Sequence, residues 1–230
     1  MLTPYKRQIA EFIGQNADIR VGSYVLTTDG RSSTYYFDTG AFGRGRQLVQ
    51  AGRYLSSEIE LRVPEEADAL YGPPDKGIPL AIATAMQRDM SYIVKRQHVK
   101  SREGQKGFVI GCDIMPDMRV GFVDNVISLG GSIQSSINFL KELENNLKFP
   151  YAVVMVDRQE AVDGESAVEI FKKEYNIKVI PLLTITECME AWKDKPEQNV
   201  PQNFLQAAAK HLLQYGTDEA KAEVERLMAV

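Results

Sequence analysis

The sequence predicts an α/β protein with a mainly parallel central sheet flanked by helices. Short apolar runs, such as residues 67–71 and 151–156, alternate along the chain with stretches in which apolar residues recur every three or four positions. Strands and helices that alternate in this order form βαβ units, whose consecutive strands lie parallel. Polar residues also follow several of the apolar runs, at the strand ends where ligands bind in open α/β sheets.

The first part of the chain predicts a helix, a hairpin and a second helix. Pro4 suits the first turn of a helix because its missing N–H is not needed there, and apolar residues follow it with helical spacing. Runs 21–26 and 33–38 flank a polar turn at residues 27–31, which indicates a β-hairpin with an aromatic second arm. An apolar stripe indicates a helix over residues 45–61.

The later elements continue the alternation of strand and helix. In chain order we predict strand 67–71, helix 78–90, strand 91–94, a strand ending at Asp124-Asn125, a helix reaching about residue 147, strand 151–156, helix 165–175, strand 178–183 and helix 185–192. Residues 201–214 and 218–228 predict two terminal helices, which we expect to be packing or dimer elements rather than part of the chemistry.

The composition is that of an ordinary globular protein, and we expect a single domain over residues 1–230. With 230 residues, 44% of them hydrophobic and 25% charged, the chain is long enough to bury a real core. The net charge of −4 argues against a protein whose whole surface binds nucleic acid or a membrane. Two cysteines are too few for a disulfide framework or a zinc site, and no apolar run could span a bilayer, so we expect a cytoplasmic protein.

Residues 120–132 form the motif around which the candidate site is organised. They read V-G-F-V-D-N-V-I-S-L-G-G-S, so that an apolar strand ends in Asp124-Asn125 and a glycine-rich turn leads into a helix. Glycines let a backbone approach a phosphate closely, and the N–H groups at a helix start favour negative charge. The motif predicts a phosphate site beside a carboxylate that suits a sugar hydroxyl or a metal-bound water. A plain tight connection between strand and helix is the alternative.

A basic segment interrupts the alternation at residues 95–106. It reads K-R-Q-H-V-K-S-R-E-G-Q-K, with five lysines or arginines and a single acid. Such a run is ordinarily a solvated surface loop. In an otherwise acidic protein it also suits a mobile basic arm that closes over a polyanion. The residues alone leave both interpretations open.

Three separated segments resemble orotate phosphoribosyltransferases. Residues 26–42 contain S-T-Y-Y-F-D-T-G-A-F, residues 71–81 read Y-G-P-P-D-K-G-I-P-L-A, and residues 156–160 read V-D-R-Q-E. With the glycine-rich motif and the basic segment, the resemblance extends over most of the chain. It implies the type I phosphoribosyltransferase fold, with a mainly parallel sheet, helices on both faces, a small hood and a flexible basic loop.

The resemblance also implies how the chain is divided and assembled. The core would span about residues 45–192, and the hood would come from about residues 1–44 and the C-terminal part of the core. Residues 201–230 would be additional terminal helices. The protein would be a homodimer in which the basic loop of one subunit reaches the active site of the other.

Site residues follow from the resemblance position by position. The substrate 5-phospho-α-D-ribose 1-diphosphate would be held by Asp75, Lys76, Arg96, Lys100, Arg102, Asp124, Asn125, Val126, Ile127, Ser128, Leu129, Gly130, Gly131 and Ser132. Catalysis would depend on Lys76, Lys100 and Asp124. Orotate would be bordered by Tyr36, Phe37, Ser128 and Arg158. The cofactor would be Mg²⁺, bound mainly by substrate oxygens, so no residue is assigned as a metal ligand.

The chain departs from the family pattern at several of these places. Asn125 stands where the family has the second residue of an acidic pair, so one negative charge near the ribose is missing. Thr27 stands where a base-site lysine is usual, and that lysine's role is not carried over. In the basic loop Gln97, Ser101 and Arg102 differ from the usual residues, which leaves the register of the loop open.

The function implied is the transfer of ribose 5-phosphate from the diphosphate to orotate, giving orotidine 5′-monophosphate and pyrophosphate for UMP biosynthesis. A non-catalytic regulator that binds the diphosphate with the same fold is the alternative, and Gln97 and Asn125 favour it. A transferase acting on a purine base is a weaker third hypothesis, because the guanidinium of Arg158 favours an anionic base.

Overall fold

The fold is seen in a computed structural model that describes residues 2–25, 30–63, 65–98, 107–194 and 197–229. The helices are α1 Pro4–Asn16, α2 Gly45–Arg62, α3 Gly77–Arg88, α4 Gly131–Leu143, α5 Ala167–Tyr175, α6 Ile185–Trp192, α7 Phe204–Tyr215 and α8 Asp218–Met228. The strands are β1 Asp18–Val25, β2 Ser32–Asp38, β3 Ala69–Tyr71, β4 Ser91–Lys95, β5 Val109–Gly111, β6 Val120–Ile127, β7 Tyr151–Asp157, β8 Ala161–Val162, β9 Glu165–Ser166 and β10 Lys178–Thr184.

Six strands form the central sheet in the order β10-β7-β6-β3-β4-β5. Every neighbouring pair is parallel except β4 and β5, which run antiparallel at one edge. The predicted α/β class and the mainly parallel sheet are confirmed. Because β3, β6 and β7 are adjacent and parallel, the loops that follow them emerge together at one edge of the sheet.

Hydrophobic cores lie on both faces of this sheet, as expected for parallel strands covered by helices. Successive side chains of a strand point to opposite faces, and β7 shows this clearly. Val153 and Met155 join the core that also contains Leu55 of α2, whereas Val154 joins the core that contains Ile137 of α4. The helices on either face therefore hold the strand ends at fixed positions.

A second group of elements packs over one side of the sheet. The antiparallel hairpin of β1 and β2 lies against α7, and the Thr34 hydroxyl donates to the carbonyl of Ala207 at 2.6 Å. Trp192 at the end of α6 donates its indole N–H to Ala10 of α1 at 3.1 Å. The division into core and hood stays a prediction, but these contacts join the first forty residues to the last helices.

Several element boundaries differ from the prediction for identifiable reasons. Helix α4 ends at Leu143 instead of near residue 147, because Glu144 is extended and its carboxylate accepts from the N–H of Asn146 at 3.0 Å. Leu147 is nevertheless buried in the core, and because it is apolar it fitted the helical pattern from which the longer helix was predicted. The β8–β9 hairpin was missed, and α5 begins after it, where Ser166 caps the helix.

Candidate active site

The polar residues of the predicted site lie at the carboxyl ends of β3, β6 and β7. In β6, three residues before the strand ends at Ile127, the carboxylate of Asp124 is 3% exposed and is held in place by two hydrogen bonds. Its Oδ1 accepts from the backbone N–H of Asn125 at 2.8 Å, and its Oδ2 accepts from the Ser132 hydroxyl at 2.8 Å. Burial raises the pKa of Asp124 to about 6, while these two donors and the charge of Lys76 act in the opposite direction.

The glycine-rich turn places the start of α4 beside this carboxylate. Gly130 has a φ of +78°, and a Cβ at this position would lie 2.1 Å from the ring of Phe171. Only glycine fits this conformation and this close approach. The turn therefore brings the N–H groups at the start of α4 toward the sheet edge, which is the geometry of an anion site.

The residues predicted to hold the diphosphate differ in how far they are buried. Ile127 is 2% exposed, its side chain lies in the core, and its carbonyl accepts from the N–H of Arg158 at 2.9 Å. The side chain and the carbonyl of Ile127 thus already have partners within the protein, and its place in the substrate site stays a prediction. Val126 packs against the opposite core, whereas Ser128, Leu129, Gly131 and Ser132 are at least partly exposed.

A cavity of about 630 Å³ lies between the turn and the loop that follows β3. Its lining includes Pro74, Lys95, Leu129 and Gly131. The ammonium group of Lys95 sits over the ring of Phe139, 4.3 Å from its centre. The space beside the predicted phosphate turn is thus open and bordered by a cation.

The loop after β3 is tight and delivers Lys76 to the same edge. A Cβ on Gly72 would fall 2.4 Å from the carbonyl oxygen of Gly77, so the loop closes directly onto α3. The peptide bond between Pro74 and Asp75 is cis. Asp75 and Lys76 are both exposed. Lys76 is brought near the predicted ribose carboxylate, as expected, but its ammonium group is also held by the hairpin.

Asp38, at the end of β2, is the residue that sequence analysis missed. Its Oδ2 lies 2.6 Å from Nζ of Lys76 and accepts from the Tyr36 hydroxyl at 3.0 Å. Its Oδ1 accepts from the side-chain amide of Asn125 at 3.1 Å and from the N–H of Gly40 at 2.7 Å. Sequence analysis gave it no role because the two partners that belong to the predicted site, Lys76 and Asn125, are 38 and 87 residues away.

The two aromatic residues predicted at the base site behave differently. Tyr36 is partly exposed, and its hydroxyl accepts from Nζ of Lys76 at 3.0 Å. Phe37 points to the other side of the hairpin, where its ring stacks 6.2 Å from Trp192 and is 5% exposed. Alternate residues of a strand face opposite ways, so the two rings lie on opposite sides of β2, and the placement of Tyr36 and Phe37 beside the base stays a prediction.

Arg158, after β7, lies in a buried polar cluster. Its Nε is 2.6 Å from Oε1 of Glu160, and its Nη2 donates to the Ser33 hydroxyl at 3.0 Å. Its guanidinium also sits 4.3 Å from the centre of the Tyr35 ring. Burial disfavours the charged form of Arg158, but Tyr35 and Glu160 outweigh it and raise its pKa. The arginine is charged and its orientation is fixed from three sides.

The C-terminal helices reach this cluster, which was not expected of packing elements. His211 of α7 is 1% exposed, and its Nε2 lies 3.0 Å from Oε1 of Glu160. Burial alone would raise the pKa of Glu160, but His211, Arg158 and Arg31 hold it below its usual range.

Helix α8 holds the neighbouring residue of the same strand end. Its Glu223 accepts from the Gln159 side chain at 3.2 Å and from the Thr186 hydroxyl. Both terminal helices therefore help to build the wall that carries Arg158.

Only part of the basic segment, residues 95–98, lies within the described residues. Lys100, Ser101 and Arg102 lie outside the described residues, as does Thr27, so their predicted or questioned roles stay as stated. Arg96 is described, and its Nε donates to the carbonyl of Val109 at 3.0 Å. In this chain Arg96 therefore helps to join β4 to β5, and its role in a neighbouring subunit stays a prediction.

Comparison with known proteins decides the family. Over 222 residues the sequence is 32% identical to the orotate phosphoribosyltransferase of Cronobacter sakazakii, covering 94% of this chain and 100% of that protein. The chain belongs to the orotate phosphoribosyltransferase family. The orotate phosphoribosyltransferase of Escherichia coli K12 is also 32% identical, over 203 residues that cover 85% of this chain and 92% of that one. No family model matches the chain.

Solved structures agree with this family. The orotate phosphoribosyltransferase of Francisella tularensis superposes with a TM-score of 0.67 at 28% identity, covering 91% of this chain and 100% of that one. Leishmania donovani UMP synthase superposes with a TM-score of 0.74 at 18% identity, over 91% of this chain and 42% of that one, which shows the fold alone. The predicted orotate phosphoribosyltransferase family, fold and enzyme class are confirmed, and none of these matches favours a non-catalytic regulator.

Proposed function

We propose that the protein transfers ribose 5-phosphate from 5-phospho-α-D-ribose 1-diphosphate to orotate. One observation carries this proposal: a glycine turn, the Asp124 carboxylate and the Lys76 ammonium group lie at the ends of neighbouring parallel strands. In the reaction orotate N1 releases its proton to solvent and bonds to C1′ of the ribose as the C1′–oxygen bond to the diphosphate breaks. Pyrophosphate leaves with the bonding electrons, and orotidine 5′-monophosphate forms.

The 5-phosphate is assigned to residues 128–132. Glycine at position 130 allows the turn, and the N–H groups at the start of α4 point toward the bound anion. Ser132 is already hydrogen-bonded to Asp124, so binding of phosphate there is transmitted to the carboxylate.

The ribose and the diphosphate are assigned to the two charged groups beside the turn. Asp124 accepts hydrogen bonds from ribose hydroxyls, and its negative charge favours the cationic ribose that develops as the C1′–oxygen bond breaks. Lys76 is 46% exposed on its side chain, so its ammonium group can turn to the leaving diphosphate. The residues thus position the partners and stabilise opposite charges at the two ends of the breaking bond.

The base is assigned to Tyr36 and Arg158, as the family resemblance implies; Arg158 contacts β2 from the face of Ser33 and Tyr35, opposite Tyr36. Orotate is anionic, and the planar guanidinium of Arg158 suits its carboxylate or a ring carbonyl. Glu160 and Ser33 fix that guanidinium, so the base meets a donor of set orientation.

Mg²⁺ fits this edge of the sheet by the chemistry of its donors. The Asp124 carboxylate offers hard oxygen atoms of the kind that Mg²⁺ prefers. Across the residues that the structure describes, no group of three or more His, Cys, Asp or Glu could hold a metal ion. As the family resemblance implies, most ligands would be substrate oxygens, and the bound ion would supply positive charge to the diphosphate.

The remaining expectations complete the proposal. Lys100 and Arg102 of one subunit, with Arg96, would close over the diphosphate bound to the other subunit of a homodimer. In the described part of the chain, no helix has the length and apolar character needed to cross a membrane. Both cysteines are free thiols, which supports a cytoplasmic enzyme.

The test follows orotate absorbance in the presence of 5-phospho-α-D-ribose 1-diphosphate and Mg²⁺. We expect loss of orotate that needs both, and a large fall in kcat for Lys76→Ala. The control is Lys148→Ala, which removes a lysine from an aspartate pair (Lys148 with Asp117, 3.3 Å) away from the site and should leave activity unchanged. Absence of turnover, with calorimetry still showing binding of the diphosphate, would support the regulator instead.

A further inference from the structure

The strand end that faces the ribose carries one carboxylate where two acids were expected. Asp124 is ionisable, but the next residue, Asn125, is a neutral amide. The structure supplies a second carboxylate from another part of the chain. Oδ1 of Asp38 accepts from the Asn125 side-chain NH₂ group at 3.1 Å, 87 residues away in sequence.

The position of Asp38 is fixed by the backbone on both sides of this contact. The N–H of Gly40 donates to its Oδ1 at 2.7 Å, which caps the short turn Thr39–Ala41. Thr39 in turn donates its hydroxyl to the backbone carbonyl of Asn125 at 3.1 Å. The end of the hairpin is therefore fastened to the end of β6 at both the main chain and the side chain of Asn125.

The surroundings of Asp38 keep it ionised. Burial disfavours its charge, but Lys76, the N–H of Gly40 and the Tyr36 hydroxyl outweigh this and hold its pKa below the usual range. Lys76 benefits in the opposite sense, since Asp38 and Tyr36 outweigh burial and raise its pKa. Asp38 therefore stays negatively charged beside Asn125, and Lys76 stays positively charged beside the cleft.

We propose that Asp38 replaces the missing acid, as a positioning residue that acts on the ribose through Asn125 and on the diphosphate through Lys76. With its NH₂ group held by Asp38, the planar amide of Asn125 directs its oxygen away from that carboxylate, as an acceptor for a ribose hydroxyl. This inference rests on the proposed transferase function. Asn125 thus supplies the acceptor for the ribose hydroxyl, and Asp38 supplies the negative charge that the second acid would have carried.

The inference predicts that the carboxylate and the amide can be swapped between positions 38 and 125. Asp38→Asn keeps the size of the side chain and an oxygen for Gly40 but removes the charge; we expect kcat to fall on the order of tenfold to a hundredfold, with a smaller change in KM. Asn125→Asp would set two carboxylates against each other at hydrogen-bonding distance, so one would stay protonated and activity would fall near neutral pH. Asp38→Asn combined with Asn125→Asp restores one acid and one amide at this contact but not the ion pair with Lys76, so it should recover part of the activity.

A matched control removes the charge from an aspartate–lysine pair elsewhere. Asp117 lies 3.3 Å from Lys148 on the surface, has a φ of +62°, and should accept Asn without strain. Asp117→Asn should therefore behave like the unmodified protein. In Asp38→Asn the basic limb of the pH–rate profile should also shift to lower pH, because Lys76 loses its partner; a purely structural effect would leave the limb in place.

The experiment measures orotidine 5′-monophosphate formation for the unmodified chain, both single variants, the double variant and the control. An unchanged kcat in Asp38→Asn overturns the inference. So does a double variant whose kcat is no higher than that of the less active single variant. If Asp38→Asn fails to fold, the comparison of Asn125→Asp with the double variant still decides. If the unmodified chain lacks turnover, the proposed function fails; calorimetric binding of 5-phospho-α-D-ribose 1-diphosphate then tests the same exchange, weakened in each single variant and partly recovered in the double.

Discussion

Glu160→Gln is the perturbation for which the structure gives the clearest expectation. The side chains of Glu160, Arg158 and His211 are 0%, 6% and 1% exposed. Glu160 lies 2.6 Å from Arg158 and 3.0 Å from His211, and its other oxygen is 3.6 Å from Arg31. An amide keeps the shape but leaves a buried guanidinium without its counter-charge. Breaking a buried pair in this way costs about 3–5 kcal/mol of unfolding free energy.

The assay is urea unfolding of the two proteins, supported by thermal melts. At about 2–4 °C per kcal/mol for a chain of this size, the melting temperature should fall by about 6–20 °C. The control is Glu165→Gln, whose partner Lys173 is 3.0 Å away with side chains 48% and 70% exposed. An exposed pair of this kind contributes less than about 1 kcal/mol. A loss below about 1 kcal/mol in Glu160→Gln would refute the argument.

The difference in unfolding free energy between the unmodified protein and Glu160→Gln should depend on pH in one direction. The folded pKa of Glu160 lies below its ordinary value of 4.5, so the ionised carboxylate stabilises the fold above that pH. The stabilisation is lost as pH falls below 4.5 and through the folded pKa. The gap between the two proteins should therefore be constant near neutral pH and narrow in acid. A loosened Arg158 should also raise KM for orotate in Glu160→Gln.

Three further predictions concern the phosphate turn, the ribose carboxylate and the basic loop. Gly130→Ala should weaken binding of 5-phospho-α-D-ribose 1-diphosphate in calorimetry and destabilise the fold by about 1–3 kcal/mol, because its Cβ meets Phe171; unaltered binding would remove the turn from the site. Since the pKa of Asp124 is about 6, the acid limb of kcat/KM should lie near pH 6 and vanish in Asp124→Asn, while a limb that persists points to another group. Lys100→Ala should lower kcat far more than it weakens binding of the diphosphate, as stopped-flow and calorimetry would show; an unchanged kcat would reject Lys100 as the loop lysine.

Much of the fold follows from local patterns. Pro4 begins a helix, apolar periods distinguish strands from helices, and Gly130 occupies a conformation that glycine alone suits. The orientation of Phe37 was also available, because strand alternation already places it opposite Tyr36. The resemblance supplied residue types for the site and named both positions without regard to the face each occupies.

The remainder depends on contacts between distant segments, which no local pattern contains. Nothing near Asp38 indicates that it meets Asn125, and nothing in α7 distinguishes His211 from a core residue of an amphipathic helix. The one available signal was the charge missing at Asn125, which calls for a carboxylate from elsewhere. Buried polar groups require partners, so an unbalanced site is a reason to search the distant chain.

The cluster around Arg158 joins segments from the beginning and the end of the chain. Ser33 and Arg158 are 125 residues apart, and Arg158 and His211 are 53 apart. Bringing such distant segments together costs chain entropy, which the contacts of the assembled cluster must offset. A chain without α7 would keep the strands of its sheet but lose the His211 contact to Glu160, the partner of Arg158. The orientation of the arginine assigned to the base thus depends on residues near both ends of the chain.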